Sequence, residues 1–189
     1  MKAYLAGPDV FLPNAAQHAA EKIRICAIYG LTGLAPLEDQ NQISTGSTTD
    51  VWRAIFRKDI EMMEDCDIII ANLTPFRGAS ADAGTLVELG WFLGRGKPIF
   101  GYSNSAASFT ARSLAQIAAM PDGLPGLVVE NFGLTDNLMV PGALEFGGGL
   151  PVMLPPDGKD RAFDALDVFE ACVAGIVRQT RTAKFKSAF

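Results

Sequence analysis

The sequence predicts an α/β fold in which a parallel sheet carries helices on both faces. Three observations predict it. Asp67–Leu73 reads DIIIANL, an almost continuous β-branched run of the kind buried on both faces of a parallel sheet. Other short apolar runs, Lys2–Ala6, Leu31–Leu37 and Lys97–Tyr102, alternate with segments whose apolar residues recur at helical spacing. No repeat, low-complexity tract or linker-like composition divides the 189 residues, which are read as one domain able to bury a substantial core.

Lys2–Ala6 ends in Gly7-Pro8, a strand stopped by a sharp loop. Residues 15–29 then read as a helix, with Ala19, Ile23, Ala27 and Ile28 near helical spacing and His18 as a solvated or capping side chain. Leu31–Leu37 is a second extended run closed by Pro36, and the polar residues 38–49 form a connection long enough to be a lid or binding loop. Thr49 or Asp50 can cap a helix reaching about Glu64, with two apolar stripes, Val51/Ile55/Met62 and Trp52/Phe56/Met63. After the DIIIANL strand, the turn-rich Thr74-Pro-Phe-Arg-Gly78 leads into a helix over 80–93 that ends at Gly94–Gly96. Lys97–Tyr102 is a strand, and residues 105–119 form a helix stopped by Pro121–Gly126. Leu127–Val129 is a candidate strand. Residues 130–150 offer a helical turn and a flexible Gly147-Gly-Gly149, and Val152–Leu154 is a short last strand. Asp160–Arg181 is an amphipathic helix with Phe163, Leu166, Phe169, Val173 and Ile176 inward. Ligands of such sheets bind beyond the carboxyl ends of the strands. Gly7-Pro8, the 74–78 loop and the start of the 80–93 helix therefore share one rim.

Charge and composition narrow the function. A net charge of −5 and a pI near 4.9 disfavour a nucleic-acid partner. Cys26, Cys66 and Cys172 are widely spaced inside apolar segments, with no CxxC pair, so they read as packing residues of a reducing compartment. No apolar stretch approaches a membrane span, and Gly7-Pro8 interrupts any leader-like run, so the expectation is a soluble, cytoplasmic protein. Gly7-Pro8-Asp9 matches neither GxGxxG nor a P-loop, there is no GxSxG elbow, and one histidine makes a Ser-His-Asp triad a poor fit.

What remains at the rim is acidic. Glu88 is the only polar side chain between Leu86 and Leu93, in a helix with apolar residues on every side that is expected to be largely buried. Burying an unpaired carboxylate is costly, so it is either a hydrogen-bonded structural group or a functional one facing a pocket. Gly84, one turn earlier, leaves space where Glu88 points. Asp59 breaks the Val51/Ile55/Met62 stripe in the same manner, again as a structural or a functional acid. With Asp82 and Tyr4, these residues suit substitution at an acetal-like carbon: one carboxylate attacks, another protonates the leaving group, and a tyrosine hydroxyl orients the nucleophile. Binding of a hard cation such as magnesium is the other chemistry open to the same acids.

Five segments carry a family resemblance: Tyr4-Leu-Ala-Gly-Pro8, Val51-Trp-Arg53 with Asp59, Asn72-Leu-Thr-Pro-Phe-Arg-Gly78, Asp82-Ala-Gly-Thr-Leu-Val-Glu-Leu-Gly90 and Asp136-Asn-Leu-Met139. Together, in this order over residues 1–139, they resemble the nucleoside 2-deoxyribosyltransferases. The resemblance implies a flavodoxin-like three-layer sandwich with a five-stranded parallel sheet. It also implies transfer of 2-deoxyribose between nucleobases of 2′-deoxynucleosides through a covalent deoxyribosyl-enzyme. Glu88 matches the family's nucleophile, Asp59 and Asp82 the acids that handle the base's proton, and Tyr4 the partner of the nucleophile. Gly7, Phe11, Asp59, Asp82 and Asn137 match substrate-binding positions, with Asn137 reaching the 5′-hydroxyl of a neighbouring subunit's substrate, hence a homo-oligomer. The implied partners are 2′-deoxynucleosides and free nucleobases, with no metal or organic cofactor. Two other readings stand: a 2′-deoxynucleoside 5′-monophosphate N-glycosidase, for which Ser44–Thr49 could serve a phosphate and against which Asp136 counts, and a non-catalytic nucleotide-binding module.

Overall fold

The computed structural model describes residues 1–37, 48–120 and 126–186. Residues 38–47 of the expected loop, most of the Pro121–Gly126 stop and the side chains of Lys184 and Lys186 lie outside the described residues. The elements run β1 (Lys2–Ala6), a 3₁₀ turn (Pro8–Phe11), α1 (Ala15–Ile28), β2 (Thr32–Leu34), α2 (Thr48–Asp65), β3 (Ile68–Asn72), α3 (Ala83–Gly94), β4 (Ile99–Tyr102), α4 (Phe109–Ala118), α5 (Met139–Gly148) and α6 (Asp167–Lys186).

The four strands are parallel in the order β2-β1-β3-β4, the doubly wound arrangement expected of the alternating pattern. All five residues of β3 are buried, because both faces are covered. Alternation along each strand sorts the side chains. Ala3, Leu5, Ile68 and Ile70 face α1 and α6, whereas Tyr4, Ala6, Ile69 and Ala71 face the layer of α2, α3 and α5. Tyr4 is thereby aimed at the helix that carries Glu88.

The fifth strand is reduced to a single parallel bridge from Met153 to Tyr102. Met153 donates to the Gly101 carbonyl at 3.0 Å and accepts from the Ser103 amide at 2.9 Å. Pro151, Pro155 and Pro156 bracket this residue and lack the amides that would extend the ladder. Leu127–Val129 forms no strand; Val128 is 92% exposed. The segment expected to hold a turn and a flexible glycine run instead holds α5. Its glycines serve packing: a Cβ on Gly148 would collide with the Ile99 carbonyl oxygen, so β4 and α5 approach backbone to backbone. The last helix starts at Asp167 rather than Asp160, because the Asn104 amide donates to the carbonyls of Ala162, Phe163 and Ala165 and holds them in a loop. Two stripes also differ. Val87 on α3 is 70% exposed, so that helix buries one face through Thr85, Leu89 and Phe92, and Trp52 and Phe56 on α2 are exposed while Met63 reaches the core.

At the carboxyl end of β1, Asp9 folds back beneath Gly7 into a buried polar hub. Its Oδ2 accepts from Lys22 Nζ at 2.8 Å and its Oδ1 from Asn72 Nδ2 at 2.8 Å. His18 is buried here rather than solvated, with Nε2 3.3 Å from Asp9 Oδ1. Lys22 also lies over the rings of Phe169 and Tyr102, at 4.9 and 5.6 Å from their centroids. Gly7 has φ 154° and no room for a side chain: a Cβ would come within 2.6 Å of Asp9 Oδ2 and 2.7 Å of Asn72 Cβ. The chain of bonds continues through Asn72 Oδ1 to the Thr74 amide and through Thr74 Oγ1 to the Asn104 amide, so the ends of β1, β3 and β4 are tied together.

Burial works to raise the Asp9 pKa, but the Lys22 charge, the approach of His18 and the hydrogen bonds from Lys22 and Asn72 outweigh it and hold the carboxyl well below the usual range. Removing the cation alone leaves a buried charge uncompensated. Lys22→Met should lower the unfolding free energy by about 3–5 kcal/mol at pH 7, measured by urea denaturation. A loss within the scatter of a surface substitution would refute the hub's structural role.

Candidate active site

The site is built where β1 meets the start of α3. Asp82 is the N-cap of α3, its Oδ2 accepting from the Thr85 amide at 3.2 Å and lying 3.4 Å from Thr85 Oγ1. Its Oδ1 receives no hydrogen bond from the described residues. Six positions later, and on the buried side of the helix, Glu88 Oε1 accepts from the Tyr4 hydroxyl at 2.7 Å. Tyr4 is fully buried in β1 and its ring packs 6.0 Å from that of Phe92, so the hydroxyl has little freedom to turn away. A Cβ on Gly84 would stand 3.0 Å from Asp82 Oδ2, so the glycine also makes room for the cap.

The electrostatics follow from this packing. Burial is the largest influence on Glu88 and pushes its carboxyl up; the Tyr4 hydrogen bond pulls it down, and the charges of Asp59 and Asp82 push it up again. The balance sits at about 7, against an ordinary value of 4.5. Tyr4 is held far above its ordinary range, first by burial and then by the Glu88 charge, so it remains a donor at any working pH. Asp59, half-buried on α2, acts on both Glu88 and Tyr4. Tyr4, Asp59, Asp82 and Glu88 are therefore brought together, with Gly7 on the same rim.

Phe11 and Asn137 sit farther out. Phe11 stacks on Phe76, with centroids 5.5 Å apart and planes 7° from parallel, and the Arg77 guanidinium lies over both rings at 4.7 and 4.6 Å. Arg77 holds φ 55°, unusual for a residue with a side chain and typical of strained positions near functional sites. Asn137 is engaged within its own chain, with Nδ2 donating to Glu130 Oε1 at 2.6 Å and Oδ1 accepting from the Met139 amide at 3.1 Å. Its neighbour Asp136 is buried and internally satisfied by Ser80 Oγ at 2.5 Å, the Ala81 amide at 2.9 Å and the Asn137 amide at 2.8 Å. Asp136 is thus a brace for the 79–82 loop, and it no longer counts against a phosphate at the 5′ end.

Sequence reasoning missed the Asp9 hub. Lys22 was its signal, since it lies on the same helical stripe as Ala19 and Cys26 and breaks it as Glu88 and Asp59 break theirs. Among the described residues, no three His, Cys, Asp or Glu side chains are grouped as metal ligands, and no helix is long and apolar enough to cross a membrane.

An ionisable carboxyl poised near neutrality beside a permanent phenol donor can act as a nucleophile, and the neighbouring acids can carry a proton. Because the phenol favours the ionised form, Tyr4→Phe should move the Glu88 titration further above 7, followed by carbon NMR of labelled glutamate. An unchanged or lower midpoint would mean that the 2.7 Å contact does not stabilise the carboxylate.

Comparison with known proteins bears on the family and the fold. The nucleoside 2-deoxyribosyltransferase family model matches residues 3–139. A solved structure described as a 2-desoxiribosyltransferase from Leishmania mexicana is 32% identical, with a TM-score of 0.65 over 94% of this chain and 97% of that one. An uncharacterised protein of Schizosaccharomyces pombe is 33% identical over 167 residues, 77% of this chain and 78% of its own length. With the match reaching from β1 through α3 to the first residue of α5, the chain belongs to the nucleoside 2-deoxyribosyltransferase family.

Proposed function

We propose that the protein transfers 2-deoxyribose between the nucleobases of 2′-deoxynucleosides through a deoxyribosyl ester on Glu88. The observation that carries this reading is the part-buried Glu88–Tyr4 pair, held at 2.7 Å and under the influence of Asp59 and Asp82. In the first half-reaction a Glu88 carboxylate oxygen bonds to the anomeric carbon. The glycosidic C–N bond breaks, and the base leaves with the bonding electrons and takes a proton from Asp82 or Asp59. In the second half a nitrogen of the incoming base bonds to the same carbon, the ester bond returns its electrons to Glu88, and the base's proton passes back to the acid. Tyr4 orients the carboxylate throughout.

The same pair sets the pH dependence. Glu88 attacks only when ionised, so kcat/KM should rise with pH through about 7. The test of function is to incubate the protein with a deoxynucleoside and a second free base and follow both nucleosides. Exchange is expected, and Glu88→Ala should abolish it while far-UV circular dichroism stays native. Release of free sugar alone would favour the N-glycosidase reading, for which Arg77 is the cation at the rim. Near-normal rates in Glu88→Ala would remove Glu88 as the nucleophile.

We also assign a shared site between copies of the chain, with Asn137 serving the neighbour's substrate. Apolar side chains left exposed on α2, α3 and α5, namely Trp52, Phe56, Val87, Met139 and Phe146, support association through that layer. Inactive Glu88→Ala and Asn137→Ala proteins, mixed after mild dissociation, should recover activity that neither has alone, since hybrids rebuild one intact site. No recovery in mixtures that size-exclusion chromatography proves to be hybrid would place Asn137 outside the neighbour's site.

A further inference from the structure

Asp82 has a second neighbourhood besides Glu88. It helps line an open cleft of about 630 Å³ between the 76–83 loop and α4, within the range of about 300–1,000 Å³ typical of small-molecule sites. The lining of the cleft is mixed. Residues 76–83 form one side, with Arg77 among them. Ser113 and Gln116 add polar side chains, and Phe109, Ile117, Met120 and Leu127 supply the apolar part. Met120 and Leu127 leave about half of their surface uncovered, at 50% and 51% exposure, so they are apolar surface not spent on the core.

The walls are also rigidly held. Gln116 Oε1 accepts from the Ala79 amide at 2.8 Å, and Arg112 Nε donates to the Ala79 carbonyl at 2.8 Å. Arg112 donates as well to the carbonyls of Ala107 and Thr135, and Asp136 pins Ser80 and Ala81 from behind. A loop fixed on both edges loses little freedom when a ligand binds.

We propose that this cleft is a base-side subsite that accepts an apolar substituent on the exchanged nucleobase, such as an alkyl or benzyl group on an exocyclic amine. The inference rests on the transferase reading. A base whose proton passes through Asp82 lies against that carboxylate, and Asp82 also lines the cleft. The side chains of Phe109, Ile117, Met120 and Leu127 offer no hydrogen bonds, so that part of the lining rewards apolar groups over charged ones. Phe76, stacked on Phe11, forms part of the same wall, so the aromatic shelf and the cleft are continuous.

The test compares two acceptor bases in the exchange assay: adenine, and adenine carrying a benzyl group on its exocyclic amine, or the cytosine pair if cytosine is the base exchanged. The wild type should accept both. Ile117→Trp, and separately Met120→Trp, fill the apolar part of the cleft without replacing any reacting group. Each should lower kcat/KM for the benzylated base by at least about tenfold while adenine exchange stays near its wild-type rate, the scale on which pocket filling discriminates. Retained adenine exchange certifies the fold of each variant. Exclusion of the benzylated base by a wild type that exchanges adenine would overturn the subsite and leave the transferase reading standing. So would equal losses on both bases, or no loss in either variant. Failure to exchange any unsubstituted base would defeat the transferase reading, and the subsite with it.

Discussion

The geometry of the rim depends on one buried charge. Removing a carboxylate from water costs several kcal/mol, so Asp9 is tolerable only where its two oxygens are fully met. Lys22 from α1 and Asn72 from the end of β3 meet them, and that requirement fixes how β1 and β3 end. Asn72 in turn positions Thr74, and Thr74 positions Asn104 at the end of β4. The chain can close this hub only by bringing Asp9 back under residue 7, which leaves no volume for anything larger than glycine there. The backbone at the mouth of the site is therefore placed by the electrostatics of the hub directly beneath it.

The buried Asp9 and the half-buried Glu88 are then driven in opposite directions by their partners. Asp9 has a cation and is held low; Glu88 has a phenol and two like charges, and sits at about 7. Linkage gives the signs. The Asp9 contribution to stability is complete above its unfolded value of about 3.9 and is lost as pH falls toward its depressed folded value. Glu88 works the other way: the stability of its protonated form is complete below 4.5 and is lost as pH rises through about 7. At neutral pH the fold has the whole of the first and only part of the second. A residue that costs stability where the protein works is one that packing alone would not select.

Much of this was legible as broken pattern. Glu88 and Asp59 disturb apolar stripes, and the β-branched run of β3 and the alternation around it specify the sheet, because both signals are local. What could not be read is what depends on distant contacts. The glycines at 147–149 have the composition of a flexible turn, and only the position of Ile99 shows that Gly148 is a contact between backbones. The strand at 152–154 has suitable side chains, but three prolines limit it to one bridge. His18 and Asp9 are nine residues apart and Asn72 is 63 beyond Asp9, so their common hub appears only once the fold joins them.

The segment from Glu130 to Leu138 illustrates how a site can be supported from outside its own residues. Glu130 accepts from Asn137 Nδ2 and from the Leu138 amide, which shapes the entry to α5. Asp136 then reaches across 56 residues to Ser80 and, with the Ala81 amide, holds the loop immediately before the α3 cap. Arg112 grips both sides of the junction through the carbonyls of Ala79 and Thr135. The consequence falls on Asp82. One of its oxygens is committed to the helix start and the loop leading to it is braced from two directions, so the remaining oxygen points from a fixed backbone rather than from a mobile turn. A proton carrier must meet a leaving base within hydrogen-bond reach, about 2.6–3.2 Å, and small displacements are expensive at that range. The brace supplies that constancy, and it explains why polar residues outside the α3 segment are buried in its service.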